Sequence, residues 1–238
     1  MILTKLLLNP ENRLVRQDVT DCQRLHARVL SMFPQIEPAH EEGVKPRTAF
    51  EILYRLENDL IAGANILLVQ SNTKPNWRNL PQGYISPGQI GVLWTPMDRA
   101  IDSIIVGMRL RFKLRANPTK KLSKIKKDDR LAGKRVAILD DSAKLAWLDR
   151  KSGDCGFRIV SVSAKPDVID GPPVPDAMQR RVGTVHGRKD DKTLTYGAVL
   201  FEGRLEVINR DAFINSIQNG IGSGKAYGFG LLSFVPES

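Results

Sequence analysis

From Met108 to Arg115 apolar and basic residues alternate without a break: Met108, Leu110, Phe112 and Leu114 interleave with Arg109, Arg111, Lys113 and Arg115. A period of two sends successive side chains to opposite faces. Residues 104–114 therefore read as a half-buried β-strand with one apolar and one basic face. Such a strand needs a sheet with a core on one side only, which narrows the fold to layers of sheet and helix.

The rest of the 238 residues supplies the other elements. Residues 2–8 read as a first strand ending at Asn9-Pro10. A helix follows, capped by Asp18 or Thr20, with Cys22, Val29, Leu30 and Phe33 on one face and Phe33-Pro34 as its stop. Residues 49–56 and 65–70 make a strand pair, and 71–100 carry no clear period. After the alternating strand come a Lys-rich loop, a helix over about 142–151 and a strand over 157–162. Two strands, 196–201 and 204–208, pair across Glu202-Gly203. A helix over 211–218 ends at Asn219-Gly220, and 231–235 is the last strand. Strand-helix-strand-strand-helix-strand, read twice, predicts an α+β fold of two tandem ferredoxin-like (RRM-like) βαββαβ domains, over 1–102 and 103–238.

Charge points to a polyanion. The formal charge is +10, and the stretch from Arg109 to Arg135 holds twelve Lys and Arg against Asp128 and Asp129. Most charge runs are solvated faces, but one-signed, unbalanced charge on a strand and its loop favours a nucleic-acid surface over that reading. A second basic cluster, Arg180-Arg181 and Arg188-Lys189, flanks Gly183 and Gly187 in an apparent hairpin, which is equally a probe for the groove of double-stranded RNA and an ordinary flexible loop. No apolar run reaches the roughly 20 residues of a membrane span. Cys22 and Cys155 show no pairing pattern, so a reduced, cytoplasmic protein is expected, with no membrane partner. His26, His40, His186 and the cysteines lack metal-ligand spacing, and no metal or small-molecule cofactor is expected.

The densest motif is Gly220-Ile221-Gly222-Ser223-Gly224-Lys225-Ala226-Tyr227-Gly228-Phe229-Gly230. Repeated glycines bring backbone N–H groups close to a phosphate, and Lys225 adds a charge. Ala226 stands where a Walker loop has its magnesium-holding hydroxyl, and the spacing is not that of a dinucleotide fingerprint. A tight helix-to-strand connection needing positive φ explains part of it.

That loop, continued by Leu231-Leu232-Ser233 and preceded by a helix, resembles the signature of the repeat-associated RNA-binding (RAMP) superfamily of CRISPR proteins. The runs from Leu114 to Lys120, Gly133 to Ala137, Ala146 to Lys151 and Leu200 to Leu205, with Leu3-Thr4-Lys5, resemble the CasE (Cse3) family of type I-E Cascade. The resemblance implies two ferredoxin-like domains. It also implies metal-independent cleavage of precursor repeat RNA at the 3′ base of its stem-loop, and retention of the product as a Cascade subunit. The 2′-hydroxyl would attack the phosphate, leaving a 5′-hydroxyl and a 2′,3′-cyclic phosphate.

A histidine titrating near neutrality suits either proton transfer. From spacing alone His26 reads more readily as a core residue than as a catalytic one, since it lies near the apolar face of its helix. The resemblance makes it catalytic, three residues after a tyrosine position that Gln23 occupies in this chain. An amide moves no proton near neutral pH, so weakened cleavage is expected. By motif position, Arg115, Lys120, Lys121, Lys134 and Arg135 line the stem and Arg180 and Arg181 enter its groove. Gly222, Gly224, Lys225 and Tyr227 hold phosphate near the cut. Two alternatives stay open: a repeat-binding subunit that does not cut, and a general structured-RNA-binding protein.

Overall fold

The computed structural model describes residues 1–35, 46–59, 64–88, 91–122, 133–166 and 184–237. Its N-terminal sheet holds β1 (Ile2–Leu7), β2 (Leu53–Asp59), β3 (Ala64–Ser71) and β4 (Val92–Pro96), antiparallel in the order β2-β3-β1-β4. Two helices, α1 (Arg13–Val19) and α2 (Cys22–Leu30), cover one face. Val15, Val19, Leu25 and Val29 pack there against Leu6, Tyr54, Leu56, Leu67 and Val69. The single helix expected is thus two. Asn12 caps α1, and Asp21 caps α2, accepting from the Gln23 and Arg24 N–H groups at 2.8 and 3.1 Å. Asp18 does not cap. It is buried, and accepts from Arg28 Nε at 2.8 Å and the Tyr84 hydroxyl at 3.0 Å. Pro46–Ala49 forms a short helix, α3. Between β3 and β4 a single 3₁₀ turn, Trp77–Asn79, stands where the second helix of the motif would be. A short α4 (Asp98–Asp102) follows β4.

The C-terminal sheet holds β5 (Arg109–Ala116), β8 (Phe157–Pro166), β11 (Val199–Val207) and β12 (Leu232–Pro236), in the order β12-β5-β11-β8. Counted by their own strands, both sheets run 4-1-3-2 or its reverse, the ferredoxin-like order. Helices α5 (Asp141–Asp154) and α6 (Arg210–Asn219) cover the face of Leu110, Phe112 and Leu114, with Trp147, Leu148, Phe213 and Ile217 at the contact. Gly220 ends α6 at φ +73°, where a side chain would be strained. Two ribbons project from this unit: β6 (Thr119–Lys121) paired with β7 (Arg135–Ala137), and β9 (Thr184–Lys189) paired with β10 (Lys192–Gly197).

Two expectations are corrected. Glu202-Gly203 is not a turn but lies inside β11, and the hairpin turn sits earlier, at Asp190-Asp191. Gly203 is needed for closeness instead, because a Cβ there would collide with the Ser161 carbonyl of β8, next to a register shift at Arg204/Leu205. The basic face of β5 is also partly neutralised, with Arg111 left exposed. Glu206 pairs with Arg109 at 3.5 Å and Arg158 at 2.9 Å, Lys113 sits 3.5 Å from Glu57 and 3.4 Å from Glu202, and Arg204 pairs with Glu237 at 3.1 Å.

The two sheets are locked together by polar bonds. Arg55 of β2, 2% exposed, donates to the carbonyls of Lys113 and Leu231, both at 3.1 Å, and to Ser233 Oγ at 2.8 Å. Tyr54 donates to the Ala226 carbonyl at 2.8 Å, and Gln70 Nε2 to that of Ile217 at 2.7 Å.

Candidate active site and nucleic-acid interface

Helix α2 presents His26 and Gln23 toward the β9–β10 hairpin. The approach is close because Gly187 of β9 has no side chain: a Cβ there would lie 2.5 Å from Cys22 Sγ and 3.0 Å from the Gln23 nitrogen. From the other side comes the glycine-rich loop. Its 3₁₀ turn, Lys225–Tyr227, sets the Tyr227 ring edge-on to His26 with centroids 5.7 Å apart. Tyr196 of β10 packs on Tyr227 at 5.0 Å and on Phe229 at 5.8 Å. Three segments distant in sequence thus converge on one histidine.

The polar atoms at this junction are poised. His26 Nδ1 and Gln23 Oε1 are both buried and have no hydrogen-bond partner among the described residues. Burial, then the charges of Arg47 and Lys189, hold the His26 pKa below its ordinary value, so the imidazole is neutral near pH 7. Burial raises the Tyr227 and Tyr196 pKa values, the latter to about 12, so both hydroxyls stay protonated and can donate. Cys22 is pushed up to about 12 by burial and by Asp21, which leaves it a packing residue.

The same 3₁₀ turn sends Lys225 to a separate cleft of about 430 Å³, lined by Thr119, Arg135, Trp147, Lys151, Cys155 and Ser223. Burial and then Arg47 lower the Lys225 pKa. Arg135 Nε donates to Thr119 Oγ1 at 3.0 Å, which fixes its guanidinium at the mouth. Lys120, Lys121 and Lys134 are exposed on the β6–β7 ribbon beside it. The glycines serve packing: Cβ atoms at Gly222 and Gly224 would lie 3.1 Å from the Trp147 ring and 2.9 Å from Phe229.

Arg115 departs from its expected place on the open face. It is 2% exposed, with its guanidinium 5.2 Å from the Phe229 ring centre, because the N-terminal sheet covers that end of β5. Arg180, Arg181 and His40 lie outside the described residues. Sequence reading missed Tyr196, Arg47 and Lys151. Lys189 was noted only as part of a basic cluster, and nothing in its local pattern ties it to His26.

A family model described as CRISPR associated protein matches residues 1–236 of this chain. The CRISPR-associated endoribonuclease Cse3 of Thermus thermophilus is 37% identical, the alignment covering 99% of this chain and 100% of that one. The chain belongs to the CasE (Cse3) family. The Cascade subunit CasE of Escherichia coli strain K12 is 28% identical over 91% of this chain and 92% of its own. A solved structure of Thermus thermophilus Cse3 bound to an RNA representing a pre-cleavage complex superposes with a TM-score of 0.74 at 32% identity, covering 99% and 98% of the two chains. In this CasE-family chain the Tyr227 ring stands edge-on against His26, on the helix that also carries Gln23. No helix among the described residues is long and apolar enough to cross a membrane.

Proposed function

We propose that this chain is a metal-independent endoribonuclease that cuts CRISPR precursor RNA once, at the 3′ base of the repeat stem-loop, and keeps the product as a subunit of Cascade. The observation that carries this reading is His26, its Nδ1 buried without a partner among the described residues, facing Tyr227 at the meeting point of α2, the basic hairpin and the glycine-rich loop. A neutral imidazole takes the 2′-hydroxyl proton as that oxygen attacks phosphorus. The bond to the 5′-oxygen breaks, with water protonating the oxygen that leaves, and the products are a 2′,3′-cyclic phosphate and a 5′-hydroxyl. Tyr227 donates to the charge that develops on phosphorus, and Gln23 orients the 2′-hydroxyl. Lys225, Arg135, Lys120, Lys121 and Lys134 hold the RNA backbone along the 430 Å³ cleft and its ribbon, with Arg180 and Arg181 entering the groove of the stem.

The test is cleavage of the host repeat RNA in EDTA by the wild-type chain and by His26→Ala. One cut at the stem base by the wild type, with binding but no cutting by the variant, is the expected result. A second reading rests on Gln23: a chain that binds the repeat and does not cut. Tight binding without cleavage by either protein would select it.

A further inference from the structure

We propose a second RNA contact outside the reactive centre: a stacking site for a base of single-stranded RNA flanking the stem, formed by Trp77, Trp94 and Lys74. This rests on the RNA-binding reading above but on none of its residues. The chain has three tryptophans. Trp147 is 3% exposed and stacks on Phe201 in the C-terminal core. Trp94 is 46% exposed, on a strand that pairs only with β1 among the described residues. The Trp77 ring, on the 3₁₀ turn, is half-buried nearby. Lys74 reaches between the two, its ammonium 3.8 Å from the Trp94 ring centre and 5.3 Å from that of Trp77.

An isolated exposed tryptophan needs no explanation, but two indoles spanned by one ammonium form a slot with a cation inside it. A nucleobase is the ligand with the matching chemistry. Its π-face stacks on indole whatever its identity, and its phosphate receives the lysine that it displaces. Arg78, exposed on the same turn, adds a charge of the same sign. The acid after β4, Asp98, is held by the Met1 ammonium at 2.8 Å. An acidic or apolar peptide would use one half of the slot only.

The position suits RNA leaving the cut. The Asn76 N–H donates to the Met32 carbonyl at 2.7 Å, and Asn79 Nδ2 to that of Ser31 at 3.1 Å, so the 3₁₀ turn is seated on the C-terminal end of α2. Ser31 lies five residues beyond His26, about 7.5 Å of helical rise.

The experiment is a titration of the full chain, read by tryptophan emission and by affinity, with repeat RNA carrying single-stranded flanks and with the stem-loop trimmed of them. Flanked RNA is expected to quench the wild type strongly and the trimmed stem-loop weakly. Trp94→Ala should bind flanked RNA roughly tenfold or more weakly and trimmed RNA as well as the wild type does, which also shows that it is folded. Trp94→Phe should keep most of the affinity. If Trp94→Ala and Trp77→Ala bind flanked RNA normally, the proposal is overturned, and loss of assembly with other Cascade subunits in those variants would make the slot a protein contact instead. Should no repeat RNA bind the wild-type chain, the function proposed above fails. Unstructured poly-uridylate then decides the slot: quenching that Trp94→Ala abolishes supports it, and no quenching overturns it.

Discussion

At the residue scale, His26 and Gln23 carry opposite expectations. Burial and the nearby cations Arg47 and Lys189 lower the His26 pKa. Its base form therefore persists below pH 6.5, the ordinary histidine value. With RNA in excess over protein but below saturation, the cleavage rate reports the free protein, and its acid limb should fall below that pH. Lys189→Met removes one of the charges, so the limb should move up toward 6.5; a pH profile identical to the wild type's would remove Lys189 from the vicinity of the reaction. The stability linkage has the same direction. The unfolded chain binds the His26 proton more tightly than the folded one, so stability is lost as pH falls from about 6.5 through the lowered folded value. Gln23→Tyr should raise the single-turnover rate, because it supplies a hydroxyl donor where the family resemblance leads one to expect a tyrosine. An unchanged rate would mean that Tyr227 or water already does that work.

At the element scale, the hairpin and α2 are held together by the absence of a side chain. Gly187→Ala forces a methyl against Cys22 Sγ and the Gln23 nitrogen, both fixed by the start of the helix. The expected outcome is a lower Tm and a cleavage rate reduced more than RNA affinity, read by thermal melting and single-turnover kinetics, because the hairpin no longer closes over His26. The β5 pattern teaches a related lesson. Its alternation located the strand and its buried face correctly, since Leu110, Phe112 and Leu114 are all in the core. It did not show how much of the charge on the other face is ion-paired. Glu202 and Glu206 of β11 stand across from Lys113 and Arg109, and only pairing of the two strands brings them there. Exposed cations also stand on the short β6–β7 ribbon, whose three-residue strands show no periodicity of their own.

For the whole molecule, Arg55 is the main polar tie between the sheets. Arg55→Ala leaves the Lys113 and Leu231 carbonyls and Glu57 without that partner in a closed interface, at a cost of about 3 kcal/mol. That is a Tm several degrees lower for a chain of this size. Because Tyr54 beside it bonds the turn that presents Tyr227, cleavage should weaken as well. Binding of the repeat should fall steeply with salt. Lys225→Ala and Arg135→Ala should each reduce the slope of log affinity against log salt by about one, if each meets one phosphate; an unchanged slope would take that side chain off the RNA path.

Much of this architecture is local and was readable in the chain. A period of two marks a strand, Asn219-Gly220 ends a helix, and repeated glycines require a tight loop. Those signals act within a few residues, and together they specify two ferredoxin-like sheets and a loop built to approach something closely. The candidate site is not local. His26, Gly187, Tyr196 and Tyr227 are brought together only when the N-terminal helices, a hairpin inserted before β11 and the loop after α6 pack around Arg115 and Phe229. Which cations stay free is decided in the same step, because an ion pair depends on distance through space and the chain records only distance along itself.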